Sequence, residues 1–147
     1  MEKISLRGNI KQGLRIASGL NPDRSLKLNN TIAQQKPFFI KAGIPDMESM
    51  HNGTINLFIA PATFKITKPH YEVTCEWFKG VTETFHLVKA DIEYNNAIYQ
   101  GYVYYPCPSA VKNHDDNIVE LLAPKIVGVK YGDPITAHVA AQNITLA

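Results

Sequence analysis

Three stretches place polar side chains where phosphate and metal chemistry needs them. In Gly53-Thr54-Ile55-Asn56 a threonine and an asparagine stand two residues apart. Alternate residues of a strand project from one face, so their two oxygens are expected side by side. Such a pair is either polar decoration at a strand entry or two ligands for a hard cation. Mg²⁺ suits the second reading, because it takes few protein ligands and completes its shell with water and phosphate. The segment Ser18-Gly19-Leu20-Asn21-Pro22-Asp23-Arg24 reads either as a plain hairpin loop or as an anion cradle. In a cradle the Ser-Gly start would offer backbone amides and Arg24 a charge-assisted contact to phosphate. The third stretch carries Lys112, His114, Asp115 and Asp116 into the apolar run Ile118-Val119-Glu120-Leu121-Leu122. A carboxylate in such a run must reach solvent, find a partner or face a pocket. In a pocket, Glu120 could orient or deprotonate a substrate hydroxyl.

Other chemistries lack their residues. The five histidines are scattered, with His86 and His138 in strand-like runs and His51, His70 and His114 in loops. No His-Glu-x-x-His, Walker A, Gly-x-Gly-x-x-Gly or Gly-x-Ser-x-Gly pattern occurs, which removes the commonest zinc, nucleotide and hydrolase motifs. Cys75 and Cys107 have neither metal nor redox spacing, and Cys75 alternates with Val73 and Trp77, as a buried, reduced strand residue would.

The elements that must position these side chains read as mostly β. Residues 14–19 and 25–28 are short strand-like pieces around the turn at Pro22-Asp23. A short helix is expected from Pro37, suited to a first helical position, to the stop signals Gly43 and Pro45. Residues 54–60 form the next strand. A meander follows over 71–106, with turns at Lys79-Gly80 and Asn95-Asn96. Strands at 117–124, 125–129 and 134–140, with a turn at Tyr131-Gly132-Asp133, complete the series. Many short strands and one small helix predict a compact β-barrel. The aromatic run Tyr99 to Pro106 is expected in its core, the alternative being an exposed interaction face.

The bulk numbers bound the partners. A chain of 147 residues is most simply a single domain spanning 1–147, able to bury roughly 70% of its unfolded surface. With 15 basic and 13 acidic residues the net charge is +2, without the basic excess of a nucleic-acid binder. The first residues lack the apolar core of a signal peptide, and no apolar run is long enough to span a bilayer. The Asn-x-Thr sites at Asn52 and Asn143 would matter only in a secreted protein. A cytoplasmic protein is expected.

Together the stretches acquire a further meaning. A strand into Ser18-Gly19-Leu20, a helix, Gly53-Thr54-Ile55-Asn56, a meander, a histidine loop into Ile118-Val119-Glu120-Leu121-Leu122-Ala123-Pro124 and the Gly132-Asp133 turn occur in that order. This order resembles the CTP-dependent riboflavin kinase family of archaea over roughly residues 13 to 140. The resemblance implies a small six-stranded cradle-loop (RIFT-like) β-barrel with one or two short helices. It also implies Mg²⁺-dependent phosphoryl transfer from a nucleoside triphosphate to riboflavin, giving FMN. Carried over, Thr54 and Asn56 would hold Mg²⁺, and Glu120 would act on the ribityl hydroxyl. Lys112 and His114 would bind the flavin substrate with Glu120. Ser18, Gly19, Leu20, Asn21, Asp23, Arg24 and Lys125 would contact the nucleotide. The chain departs from the family at Asn21-Pro22-Asp23, which replaces Gly-Glu-Gly and removes an amide donor. It departs again at Lys112, where a hydroxyl residue is expected, and in a shortened segment after Pro124. These changes leave open a non-catalytic flavin- or nucleotide-binding barrel.

Overall fold

Period-two alternation runs through most of the strands, and it sorts their side chains into two packed layers. The computed structural model describes residues 2–11, 31–107 and 117–147. Within them the chain forms β1 (Lys3–Ile10), α1 (Thr31–Lys41), a 3₁₀ turn at Met47–Ser49, β2 (Ile55–Phe58), β3 (Phe64–Ile66) and β4 (Tyr71–Phe78). It continues through β5 (Val81–Tyr94), β6 (Ala97–Cys107), β7 (Ile118–Leu122), β8 (Pro134–Ala140) and β9 (Ile144–Leu146).

Seven strands make one antiparallel sheet in the order β4-β5-β6-β7-β2-β1-β8, and β8 pairs also with β5. The long β5 serves both pairings: Tyr71–Phe78 runs beside its first half, and Asp91, Ile92 and Glu93 pair with His138, Ala137 and Thr136. The sheet is thereby brought partly round into a ring. Leu6, Leu57, Val88, Val103, Val119, Leu121 and Ala137 fill its inner side. The short β3–β9 sheet adds Phe64 and Ile144 to that cluster.

The outer side of β4 to β7 carries a second cluster. Phe85, Leu87, Tyr102, Tyr104 and Leu122 lie there beneath Ile32 and Phe39 of α1 and Met47 and Met50 of the following turn. Two glycines allow close strand approach inside the ring. A Cβ on Gly8 would sit 2.0 Å from the Phe58 carbonyl oxygen, and one on Gly101 2.2 Å from that of Leu122.

Several expectations are corrected. The helix begins at Thr31, so Pro37 lies inside it; the proline is exposed, and α1 continues past the N–H it lacks. Residues 3–10, unassigned above, form β1, with Leu6 and Ile10 inward and Lys3, Arg7 and Asn9 outward. Residues 125–129 are no strand: Gly128 turns with φ +87°, and of that stretch Ile126 is buried. The pieces at 14–19 and 25–28 lie outside the described residues. Cys75 is half-buried, not fully buried. Asn143 is buried, with its amide donating to the Lys68 carbonyl, so it is closed to glycosylation in the folded chain. The tyrosines of 99–106 pack into the two clusters, as the core reading expects. Among the described residues no helix is long and apolar enough to cross a membrane.

Candidate functional site

Glu120 is the middle residue of β7, and its two neighbours decide where it points. Val119 and Leu121 enter the inner cluster, so Glu120 must project outward, on the side where Leu122 packs under α1. It is only 8% exposed. β7 lies between β2 and β6, and the register sets Glu120 directly opposite Asn56 on one side and Tyr104 on the other. Directly opposed residues of an antiparallel pair share a face. Asn56, Glu120 and Tyr104 therefore form one row across three strands.

Thr54 joins this row. Just before β2, its hydroxyl donates to Glu120 Oε1 at 3.2 Å. The segment that carries it is tied on two sides: His51 N–H donates to the Ala123 carbonyl at 2.8 Å, and the Lys36 ammonium of α1 donates to the Met50 carbonyl. Burial pushes the Lys36 pKa down from its ordinary value. Lys11 N–H fixes the Asn56 carbonyl at 2.8 Å. Gly53 is buried between these anchors.

The far end of the row is closed by a buried pair. Tyr104 O–H donates to Gln35 Oε1 of α1 at 2.8 Å. Both residues are buried, and desolvation, with the Glu120 charge second, pushes the Tyr104 pKa well above its ordinary value. Tyr104 thus stays a neutral donor. Among the described residues the Gln35 amide nitrogen has no hydrogen-bond partner. Tyr102 ties the next segment to the sheet by donating to the Pro45 carbonyl at 2.8 Å, and burial raises its pKa to about 12.

The predicted residues divide accordingly. Thr54, Asn56 and Glu120 come together. Lys125 is exposed just past the end of β7, five positions beyond Glu120 and with no described contact to it. Ser18, Gly19, Leu20, Asn21, Asp23, Arg24, Lys112 and His114 lie outside the described residues. Tyr104, Gln35 and Lys36 were not among the predicted residues. The alternation in Tyr102-Val103-Tyr104 assigns Tyr104 a strand face, but its place beside Glu120 depends on the β6–β7 register.

The oxygen set suits a hard cation. Thr54 and Asn56 offer the neutral oxygen donors that Mg²⁺ would take, and the 3.2 Å between Thr54 Oγ1 and Glu120 Oε1 is a hydrogen bond. The threonine hydrogen is directed to the carboxylate, which leaves its oxygen lone pairs available. Among the described residues no three His, Cys, Asp or Glu side chains gather as a metal cluster; this set has one carboxylate and two neutral groups. The chain matches no protein-family model and no curated protein.

Proposed function

We propose that this chain is a divergent riboflavin-kinase-like phosphotransferase. It would move the terminal phosphoryl group of a nucleoside triphosphate, CTP by resemblance, to the ribityl hydroxyl of riboflavin, giving FMN in the cytoplasm. The observation that carries the reading is the Glu120 carboxylate set opposite Asn56 and hydrogen-bonded to Thr54. These are the three residues for which the resemblance implied metal and acceptor roles. The same reading makes the ring β5-β6-β7-β2-β1-β8 a six-stranded cradle-loop barrel, supported by the β5–β8 pairing.

In this account Thr54 and Asn56 hold Mg²⁺, which supplies neutralisation of the phosphate oxygens. Glu120 accepts a hydrogen bond from the riboflavin hydroxyl and takes its proton as the oxygen bonds to the terminal phosphorus. The bond to the nucleoside diphosphate breaks, and Glu120 returns its proton to water. Most of the catalysis is positioning. Lys36 and Ala123 contribute by holding the Met50–Thr54 segment against the sheet.

A second reading is favoured by Asn21-Pro22-Asp23, where two glycines of the nucleotide loop are replaced. The barrel would then bind a flavin or nucleotide without turnover. Incubation with riboflavin, Mg²⁺ and each of CTP, ATP, GTP and UTP separates the two, with chromatography for FMN and quenching of riboflavin fluorescence for binding. FMN with one donor supports the kinase; quenching without FMN supports the binder; neither contradicts both.

A further inference from the structure

Where β1, β8 and the second half of β5 lie side by side, the outer face of the sheet carries a polar array separate from the Glu120 row. Ser5 is in register with His138, and His138 with Asp91. Ser5 Oγ lies 3.0 Å from His138 Nδ1, and His138 Nε2 lies 2.9 Å from Glu93 Oε1. A carboxylate can only accept, so Nε2 carries the imidazole hydrogen and the Nδ1 lone pair faces the serine hydroxyl. A hydroxyl, a base that can take its proton and a third group that orients the base are the parts of an activated nucleophile.

The surroundings leave this array open. The His138 and Glu93 side chains are 27% and 46% exposed. Lys3 and Arg7 flank Ser5 two positions away on the same face of β1. The neighbouring Asp91 is neutralised by Lys3 Nζ at 2.8 Å and receives the Gln100 amide at 2.7 Å. With Lys3 paired to Asp91, Arg7 is the flanking cation that an approaching ester meets beside the serine.

We propose that Ser5, His138 and Glu93 form a second reactive site, in which Ser5 takes acyl groups from small activated esters. Ser5 Oγ bonds to the acyl carbon, the ester C–O bond breaks, and the serine proton passes through His138 Nδ1 to the leaving oxygen. Glu93 stabilises the imidazolium formed on the way. Water then attacks the acyl carbon, its proton passes through the same Nδ1 to Ser5 Oγ as the acyl C–Oγ bond breaks, and the acid leaves free Ser5 and neutral His138.

The test uses p-nitrophenyl acetate on the full chain, following p-nitrophenolate release and mapping acetylated residues by mass spectrometry. Ser49 is an internal reference, since it is exposed and its hydroxyl donates to the Asp46 carbonyl at 2.8 Å. Ser5 is expected to be acetylated at least roughly tenfold faster than Ser49, consistent with general-base assistance. Ser5→Ala should remove most p-nitrophenolate release, and Glu93→Gln should slow it. Equal acetylation of Ser5 and Ser49 in the unmodified chain, or release unchanged in Ser5→Ala, overturns the proposal. The within-chain comparison needs no variant to fold.

Discussion

Asn56 and Glu120 face each other as a directly paired couple across β2 and β7. A one-residue slip in that ladder would turn Glu120 into the apolar interior and separate it from Thr54. The candidate site is thus a property of strand register. The apolar residues on either side, Leu57 on β2 and Val119 and Leu121 on β7, maintain that register by filling the inner cluster.

If Thr54 and Asn56 hold the metal, Asn56→Ala abolishes Mg²⁺-dependent nucleotide binding in isothermal titration while the circular dichroism spectrum is unchanged. Glu120→Gln keeps an acceptor for the Thr54 hydroxyl but cannot take a proton. Its kcat is expected to fall about a hundredfold or more, with a much smaller change in thermal midpoint. A large stability loss without a specific activity defect would make Glu120 structural.

Tyr104 and Gln35 join α1 to the sheet through a hydrogen bond removed from water. Tyr104→Phe leaves Gln35 Oε1 buried without the donor it has in the fold. The expected loss is about 1–3 kcal/mol in urea unfolding. Replacing Gln35 by Met as well should recover part of it, because an apolar pair leaves no orphaned group.

Gly101 faces the Leu122 carbonyl, with the Ile92 side chain next nearest; Ile92 can shift, but the backbone oxygen cannot. Gly101→Ala would put its Cβ 2.2 Å from the Leu122 oxygen, forcing β6 away from β7 at the end of the Glu120 strand. A destabilisation of about 3 kcal/mol or more is expected. Ala at Gly80, where among the described residues beyond its chain neighbours no atom lies within 4 Å of the added Cβ but φ is +81°, should act through turn strain and cost less.

The Tyr94 hydroxyl donates to Asp133 Oδ2 at 2.7 Å and holds that carboxyl below its ordinary pKa. A depressed folded pKa gives stability that is present above the unfolded carboxylate range of about 4 and lost as pH falls through the folded value. Lys3 acts in the same sense on Asp91. Asp133→Asn should therefore flatten the acid limb of the stability curve, measured by urea midpoints from neutral to acid pH, and change little near neutrality.

The parts legible in the sequence were those set by local rules. The β5–β6 hairpin has its turn at Asn95 and Asn96, both with positive φ (52° and 65°), as a primed turn demands. Thr54, Asn56 and Glu120 were legible as candidates because a polar residue in an apolar run needs a reason. Other features were set by partners distant in sequence. Nothing local in Phe64–Ile66 announces pairing with Ile144–Leu146. The helix start was misread because Pro37 imitates a first helical position, whereas Ile32 and Phe39, packed on the sheet, decide the true extent of α1. Residues 3–10 do alternate, with Lys3 and Arg7 outward, but Gly8 stands where an apolar inward residue would have marked the strand. Tyr104 beside Glu120 follows only from the β6–β7 register.

The location of the metal tests the central claim most directly. Mn²⁺ accepts the same hard oxygen ligands as Mg²⁺ and broadens nearby amide resonances. Titrated into isotope-labelled protein with riboflavin and CTP, it should first erase the signals of Thr54, Asn56 and Glu120. Broadening that begins at surface carboxylates such as Asp46 and Glu48, with the β2–β7 signals intact, would contradict the account.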